Sequence, residues 1–173
     1  TSKEKIKSGG YMTENSKDYS LFDSNAISRF LFHPRPEMGA RDDGSYKLLS
    51  IPVGEDVTIG ARFYFCDEAA PNLLFFHGNG EIVEDYHDLA QFYNRMNINF
   101  VPVDYRGYGI STGTPSVSSM MNDCHEILNF VIKTLSDSGC KGKLVLMGRS
   151  LGSASALELA SSHSEKIDGL IIE

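Results

Sequence analysis

One pentapeptide constrains this chain more than any other stretch: Gly148-Arg149-Ser150-Leu151-Gly152. A continuous apolar run at residues 144–147 leads into it, and a helical stretch of small residues from Ser153 leads out. A serine between two such elements sits on a sharp strand-to-helix turn that lifts its hydroxyl above a sheet, where it can attack a carbonyl. That turn holds the serine backbone in a strained conformation costing about 1–3 kcal/mol. The flanking glycines have no Cβ, so strand and helix can close on each other. The N–H of Leu151 opens a helix without an intrahelical partner and faces the place where an oxyanion would form. The competing reading is a tight turn with an exposed serine and no chemistry.

The rest of the chain supplies a sheet for that turn to stand on. Residues 46–53 and 57–66 alternate and are rich in β-branched and aromatic side chains, with Gly54-Glu55-Asp56 as a hairpin turn between them. Residues 73–76 and 144–147 are short continuous apolar runs, the pattern of strands covered on both faces, and residues 98–103 read as a further buried strand. Helical spacing falls at residues 82–96, 116–135 and 153–162. Residues 170–172 begin a further strand, and a short helix from Ser24 precedes the prolines at 34 and 36. A hairpin followed by alternating strands and helices predicts an α/β protein with a mainly parallel sheet and an antiparallel N-terminal hairpin. Residues 1–20 are polar and glycine-containing and read as disordered, with residues 1–11 open to being an appended segment. Residues 21–173 read as one domain.

Two further glycine-rich turns follow strand ends. In His77-Gly78-Asn79-Gly80 the small residues let backbone N–H groups face a pocket, and Asn79 or Gly80 can supply a second oxyanion donor beside Leu151. A phosphate-binding loop would need a glycine-rich Lys-Ser/Thr signature, which is missing. His77 precedes the nucleophile and is given a structural role, holding the loop by hydrogen bonds. Asp104-Tyr105-Arg106-Gly107-Tyr108-Gly109 is the second turn. Asp104 is a candidate catalytic acid, but the favoured role is to pin its own loop through backbone N–H groups and Arg106. The other histidines, His33, His87, His125 and His163, read as surface or satisfied side chains, and no pair of them has zinc-ligand spacing.

Composition excludes several classes. A net charge of −7 argues against nucleic acid and against electrostatic docking on anionic membranes. No run approaches 18 apolar residues, so no transmembrane segment is expected. Three cysteines without metal-ligand spacing favour a reducing, cytoplasmic setting, with no metal and no cofactor.

Taken together, residues 77–80 (HGNG), 104–115 (DYRGYGxSxGxP) and 148–153 (GRSLGS) resemble the α/β-hydrolase superfamily, and within it the serine-hydrolase branch that includes membrane-associated acyl-protein thioesterases. The resemblance covers roughly residues 45–173. It implies Ser150 as nucleophile, the backbone N–H groups of Leu151 and Asn79 as oxyanion donors with Gly80 as the fallback, and a small-molecule or acyl-chain ester or thioester as substrate. In that family the chain order is nucleophile, acid, histidine. Here 23 residues follow Ser150. His163 lies in the helix after the nucleophile, Asp168 precedes the last strand, and Glu173 ends it as a candidate acid. The expectation is therefore a hydrolase domain lacking its last two strands, inactive or nearly so as it stands, with the acid and the histidine supplied from further along. The alternative is a non-catalytic binding or scaffold protein on the same fold. An unpaired apolar sheet edge predicts homodimerisation or poor solubility.

Overall fold

The computed structural model describes residues 17–39 and 41–173. The expectation of disorder for residues 1–16 lies outside the described residues. Of the next four, Lys17 Nζ and the Tyr19 hydroxyl both donate to the Glu158 carboxylate, at 2.7 and 2.8 Å.

The chain forms α1 (Asn25–Leu31), β1 (Lys47–Gly54), β2 (Val57–Phe63), β3 (Asn72–Phe76), α2 (His87–Arg95), β4 (Asn99–Val103), α3 (Val117–Asp137), β5 (Leu144–Gly148), α4 (Gly152–Ser162) and β6 (Gly169–Ile172). The six strands make one sheet in the order β1-β2-β4-β3-β5-β6. β1 and β2 are the antiparallel hairpin, and β2 meets β4 antiparallel; β3, β4, β5 and β6 are parallel. The hairpin turns through Asp56, whose φ is 57°. Two expected boundaries move. β2 stops at Phe63 and continues only as a single bridge from Tyr64 to Phe100. The helix expected over residues 82–96 opens as a 3-10 turn at Val83–Tyr86, because the Asp85 carboxylate accepts the Ile82 N–H and the first backbone bonds close over three residues.

Period-2 alternation in the central strands sends side chains to two cores. Leu74 and Phe76 of β3 pack with Ile127, Leu128 and Val131 of α3 and with Ala156 and Leu159 of α4. Leu73 and Phe75 face the other way, toward Tyr64, Phe100, Tyr86 and Ala90. Because both faces are covered by helix, β3 and β4 are buried along their whole length.

Pairing register then builds the working edge. Phe76 pairs with Val103 on one side and with Gly148 on the other, and Gly148 pairs with Ile172. The next residue of each strand, Asp104, His77, Arg149 and Glu173, therefore emerges at one level along the carboxyl edge of the sheet. β3 is also where successive connections diverge, β4 going to one side and β5 to the other. Such switch points leave a crevice above the strand ends.

Candidate active site

Ser150 stands at the bend between β5 and α4 with φ at 48°, in the left-handed region that side chains rarely adopt. It is exposed. Its N–H donates to the Glu173 carbonyl at 2.9 Å and its carbonyl accepts the Ser153 N–H at 3.0 Å, so the bend is fixed at both ends. Both neighbouring glycines are required by contact. A Cβ on Gly148 would lie 2.6 Å from the Gly152 carbonyl oxygen and from Ser153 Cα. A Cβ on Gly152 would lie 2.1 Å from the Phe76 oxygen and 2.8 Å from the His77 oxygen. The second approach also locates the site, since it seats the start of α4 against the end of β3, where the 77–80 loop begins. Among the described residues the Leu151 N–H donates to no acceptor, and neither does the Asn79 N–H.

Within the 77–80 loop the Gly78 N–H is taken by Glu81 Oε2 at 2.7 Å. The N–H groups of Asn79 and Gly80 are both left without an acceptor among the described residues. His77 is fully buried, with Nδ1 on the Gly78 carbonyl at 2.8 Å and Nε2 on Asp104 Oδ1 at 3.2 Å. Both ring nitrogens face oxygens, so none is free to take a proton from Ser150. Its carbonyl accepts the Tyr105 hydroxyl at 2.7 Å. The structural role given to His77 matches this geometry.

Asp104 departs from its expectation. It is 1% exposed and accepts the Val83 N–H at 3.0 Å as well as His77, so it ties two loops together instead of bracing its own. Arg106 turns away and grips Asp123 of α3 through Nε and a terminal nitrogen, each at 2.7 Å. The physical reason is space. Gly109 brings its Cα so close that a Cβ there would meet Asp104 Oδ2 at 2.1 Å, leaving no room for a guanidinium beside that carboxylate.

Sequence reasoning missed a polar bridge between the two loops. Arg149 donates to Glu81 Oε1 at 2.6 Å and to the Tyr86 hydroxyl at 3.2 Å, and its Nε lies 3.5 Å from Glu173. Tyr86 in turn donates to Glu81 Oε2. Burial, then the Glu81 carboxylate, push the Tyr86 phenol well above its ordinary range. One carboxylate thus clamps the loop amide at Gly78 and the residue beside Ser150. The signal was the glutamate three residues beyond Gly78, a spacing at which a side chain reaches back to a turn amide. Glu173, the candidate acid, is committed to Arg149. Asp168 accepts the Leu144 N–H at 2.9 Å at the opposite edge of the sheet.

None of the remaining histidines hydrogen-bonds Ser150. His33 bonds Asn79, His87 contacts Tyr64 and Asp43, and His125 pairs with His163 at 2.9 Å. His163 follows α4, whose 11 residues carry it about 16 Å from the bend. Among the described residues no group of three His, Cys, Asp or Glu side chains is placed to hold a metal ion, and no helix is long and apolar enough to cross a membrane.

A family model described as "Serine aminopeptidase, S33" matches residues 67–173. The protein Bem46 of Schizosaccharomyces pombe is 36% identical over 132 residues, covering 74% of this chain and 44% of Bem46. The chain thus spans less than half the length of that relative. Two solved structures share the fold: a soluble variant of monoglyceride lipase from Saccharomyces cerevisiae in complex with a substrate analogue (TM-score 0.63, 20% identity, 73% of this chain and 43% of that one), and an esterase from Pyrococcus furiosus (TM-score 0.61, 19% identity, 79% and 55%).

Proposed function

The chain belongs to the serine aminopeptidase S33 family of α/β-hydrolases, and on that premise we propose that it is the nucleophile-bearing part of a serine hydrolase acting on a carboxylic ester or thioester. One observation carries the reading: an exposed serine held at positive φ between a central strand and a helix. In this reading Ser150 Oγ attacks the substrate carbonyl. A C–O bond forms, the alcohol or thiol departs with the serine's proton, and water then cleaves the acyl-enzyme. The tetrahedral oxygen is received by the N–H groups of Leu151 and Asn79, with Gly80 behind them. Each such donor is typically worth about 2.7–4 kcal/mol in rate.

In this reading the base and its acid come from residues outside these 173, because none of the five histidines here hydrogen-bonds Ser150. The 173-residue chain alone then turns over little substrate. The same geometry favours, as a second reading, a binding or scaffold role on the hydrolase fold.

A fluorophosphonate probe separates the two readings. Applied to a polypeptide that carries this chain at the length of its relatives, it should form an adduct on Ser150, located by peptide mass, and Ser150→Ala should abolish it. Labelling that persists in Ser150→Ala refutes Ser150 as nucleophile. No labelling of the unaltered protein, in a folded sample, favours the scaffold.

A further inference from the structure

The segment 32–37 crosses the front of the molecule and bonds both glycine-rich loops. Phe32 is buried in the core, which anchors one end. Arg35 accepts the Gly109 N–H at 2.9 Å through its carbonyl, and Glu37 N–H donates to the Gly109 carbonyl at 3.0 Å. Arg35 Nε donates to the Gly80 carbonyl at 2.9 Å, and its guanidinium pairs with Asp85. Between these points lies a closed polar ring. The His33 N–H is shared by Asn79 Oδ1 at 2.9 Å and the Tyr108 hydroxyl at 2.8 Å. Tyr108 donates to Asn79 Oδ1 at 2.9 Å, and Asn79 Nδ2 meets His33 Nδ1 at 2.7 Å.

The ring fixes where every proton sits. Asn79 Oδ1 faces two donors, so the amide cannot be turned over without setting its NH2 against them. Nδ2 must therefore point at His33. An amide nitrogen only donates, so His33 Nδ1 must accept, and the imidazole must be neutral with its proton on Nε2. A second proton on the ring would place N–H against N–H across 2.7 Å. The bond would break, and the Asn79 side chain would have no other orientation to adopt.

We propose that His33 is a positioning residue for the oxyanion loop: its neutral imidazole holds the Asn79 side chain, and through it the backbone N–H of Asn79, in register with the Ser150 bend. The inference rests on the reading of Asn79 as an oxyanion donor. The other groups facing the ring are the Tyr108 hydroxyl, Arg35 on the same segment and, through Arg35, Asp85. Burial raises the Tyr108 phenol, so it stays protonated and can donate. Asn is the conservative replacement for His33, since its Oδ1 falls near the place of Nδ1 and accepts as it does.

Two measurements on the protein at the length of its relatives test this. In the first, hydrolysis of p-nitrophenyl acetate is followed at fixed pH. His33→Ala should lower kcat roughly ten- to a hundredfold, the scale of a misplaced catalytic group, with KM changed by less than about twofold. His33→Asn should restore most of kcat. Equal kcat in His33→Ala and the unaltered protein overturns the inference, as does a His33→Asn variant no better than His33→Ala. Ser150→Ala serves as the control for the site itself: undiminished turnover there sinks the nucleophile reading, whereas a dead Ser150→Ala beside an unaffected His33→Ala sinks the positioning role alone. The second measurement needs no turnover. In 15N-resolved NMR spectra the Asn79 side-chain NH2 and the Asn79 backbone amide should shift together in His33→Ala and return toward their parent positions in His33→Asn. Asn79 signals that are unmoved in His33→Ala overturn the proposal whatever the kinetics show.

Discussion

Replacing Ser150 by glycine should make the protein more stable, and replacing it by alanine should not. The bend holds residue 150 at φ 48°, where the Cβ of an L-residue crowds the following carbonyl at a cost of about 1–2 kcal/mol. Ser150 is exposed, and among the described residues its hydroxyl makes no hydrogen bond, so alanine removes nothing that holds the fold and keeps the crowded Cβ. That variant should fall within about 0.5 kcal/mol of the parent. Glycine removes the Cβ and with it the crowding, but it loses more backbone freedom on folding, about 0.5–1 kcal/mol. The difference leaves Ser150→Gly ahead of Ser150→Ala by about 1 kcal/mol, or roughly 2–4 °C in Tm for a domain of this size. Calorimetry on the two variants side by side reads this directly, since both lack the hydroxyl. An internal control is Asp56→Gly in the hairpin turn, at φ 57°. Aspartate tolerates the left-handed region through local hydrogen bonding, so the gain there should be smaller. If Ser150→Gly melts with Ser150→Ala or below it, the bend stores no strain. The serine is then not kept there at a cost in stability.

Three other perturbations have defined outcomes. Gly152→Ala would drive a Cβ to 2.1 Å from the Phe76 carbonyl oxygen, a backbone atom of the central strand, and should cost about 3 kcal/mol or more in urea unfolding; a parent-like midpoint would contradict the close approach. Arg106→Leu strands the buried Asp123 carboxylate and should cost about 3–5 kcal/mol at neutral pH. Burial already holds Asp123 above the ordinary carboxylate range, with Arg106 offsetting part of it, so its loss lets the folded state take up a proton before the unfolded one; the deficit should shrink as pH falls toward 5, and one that grows in acid would refute the sign. Leu170, Ile171 and Ile172 of the edge strand β6 are 39%, 46% and 48% exposed, so the 173-residue chain should self-associate with rising concentration in light scattering, and a monomer at every concentration would argue otherwise.

What was legible in the sequence, and what was not, divides along a physical line. Strands covered on both faces are dominated by apolar residues, and Leu73 to Phe76 could be read that way because each of these side chains is buried against one helix layer or the other. The bend was legible because glycine is the only residue that fits where Gly148 and Gly152 stand, so local sequence and tertiary contact carry the same message. Long-range polar contacts leave no such mark. Asp104 was assigned to Arg106 because they are two residues apart, yet its partners are His77 and Val83, brought beside it by the pairing of β3 with β4. Arg106 found Asp123 across the α3 interface. Arg149 reaches Glu81, 68 positions away, only because the ends of β3 and β5 are level. His33 read as one more satisfied histidine, and no spacing in the chain points from it to Asn79. The contact exists because Phe32 sinks into the core and Pro36 pairs with Gly109, which leaves His33 hanging over the loop between them. The same contrast ranks the residues for experiment. Positions fixed by shape should respond to substitution through stability. Positions fixed by the polar ring and by the Glu81 clamp should respond through the geometry of two backbone amides, and so through rate before stability.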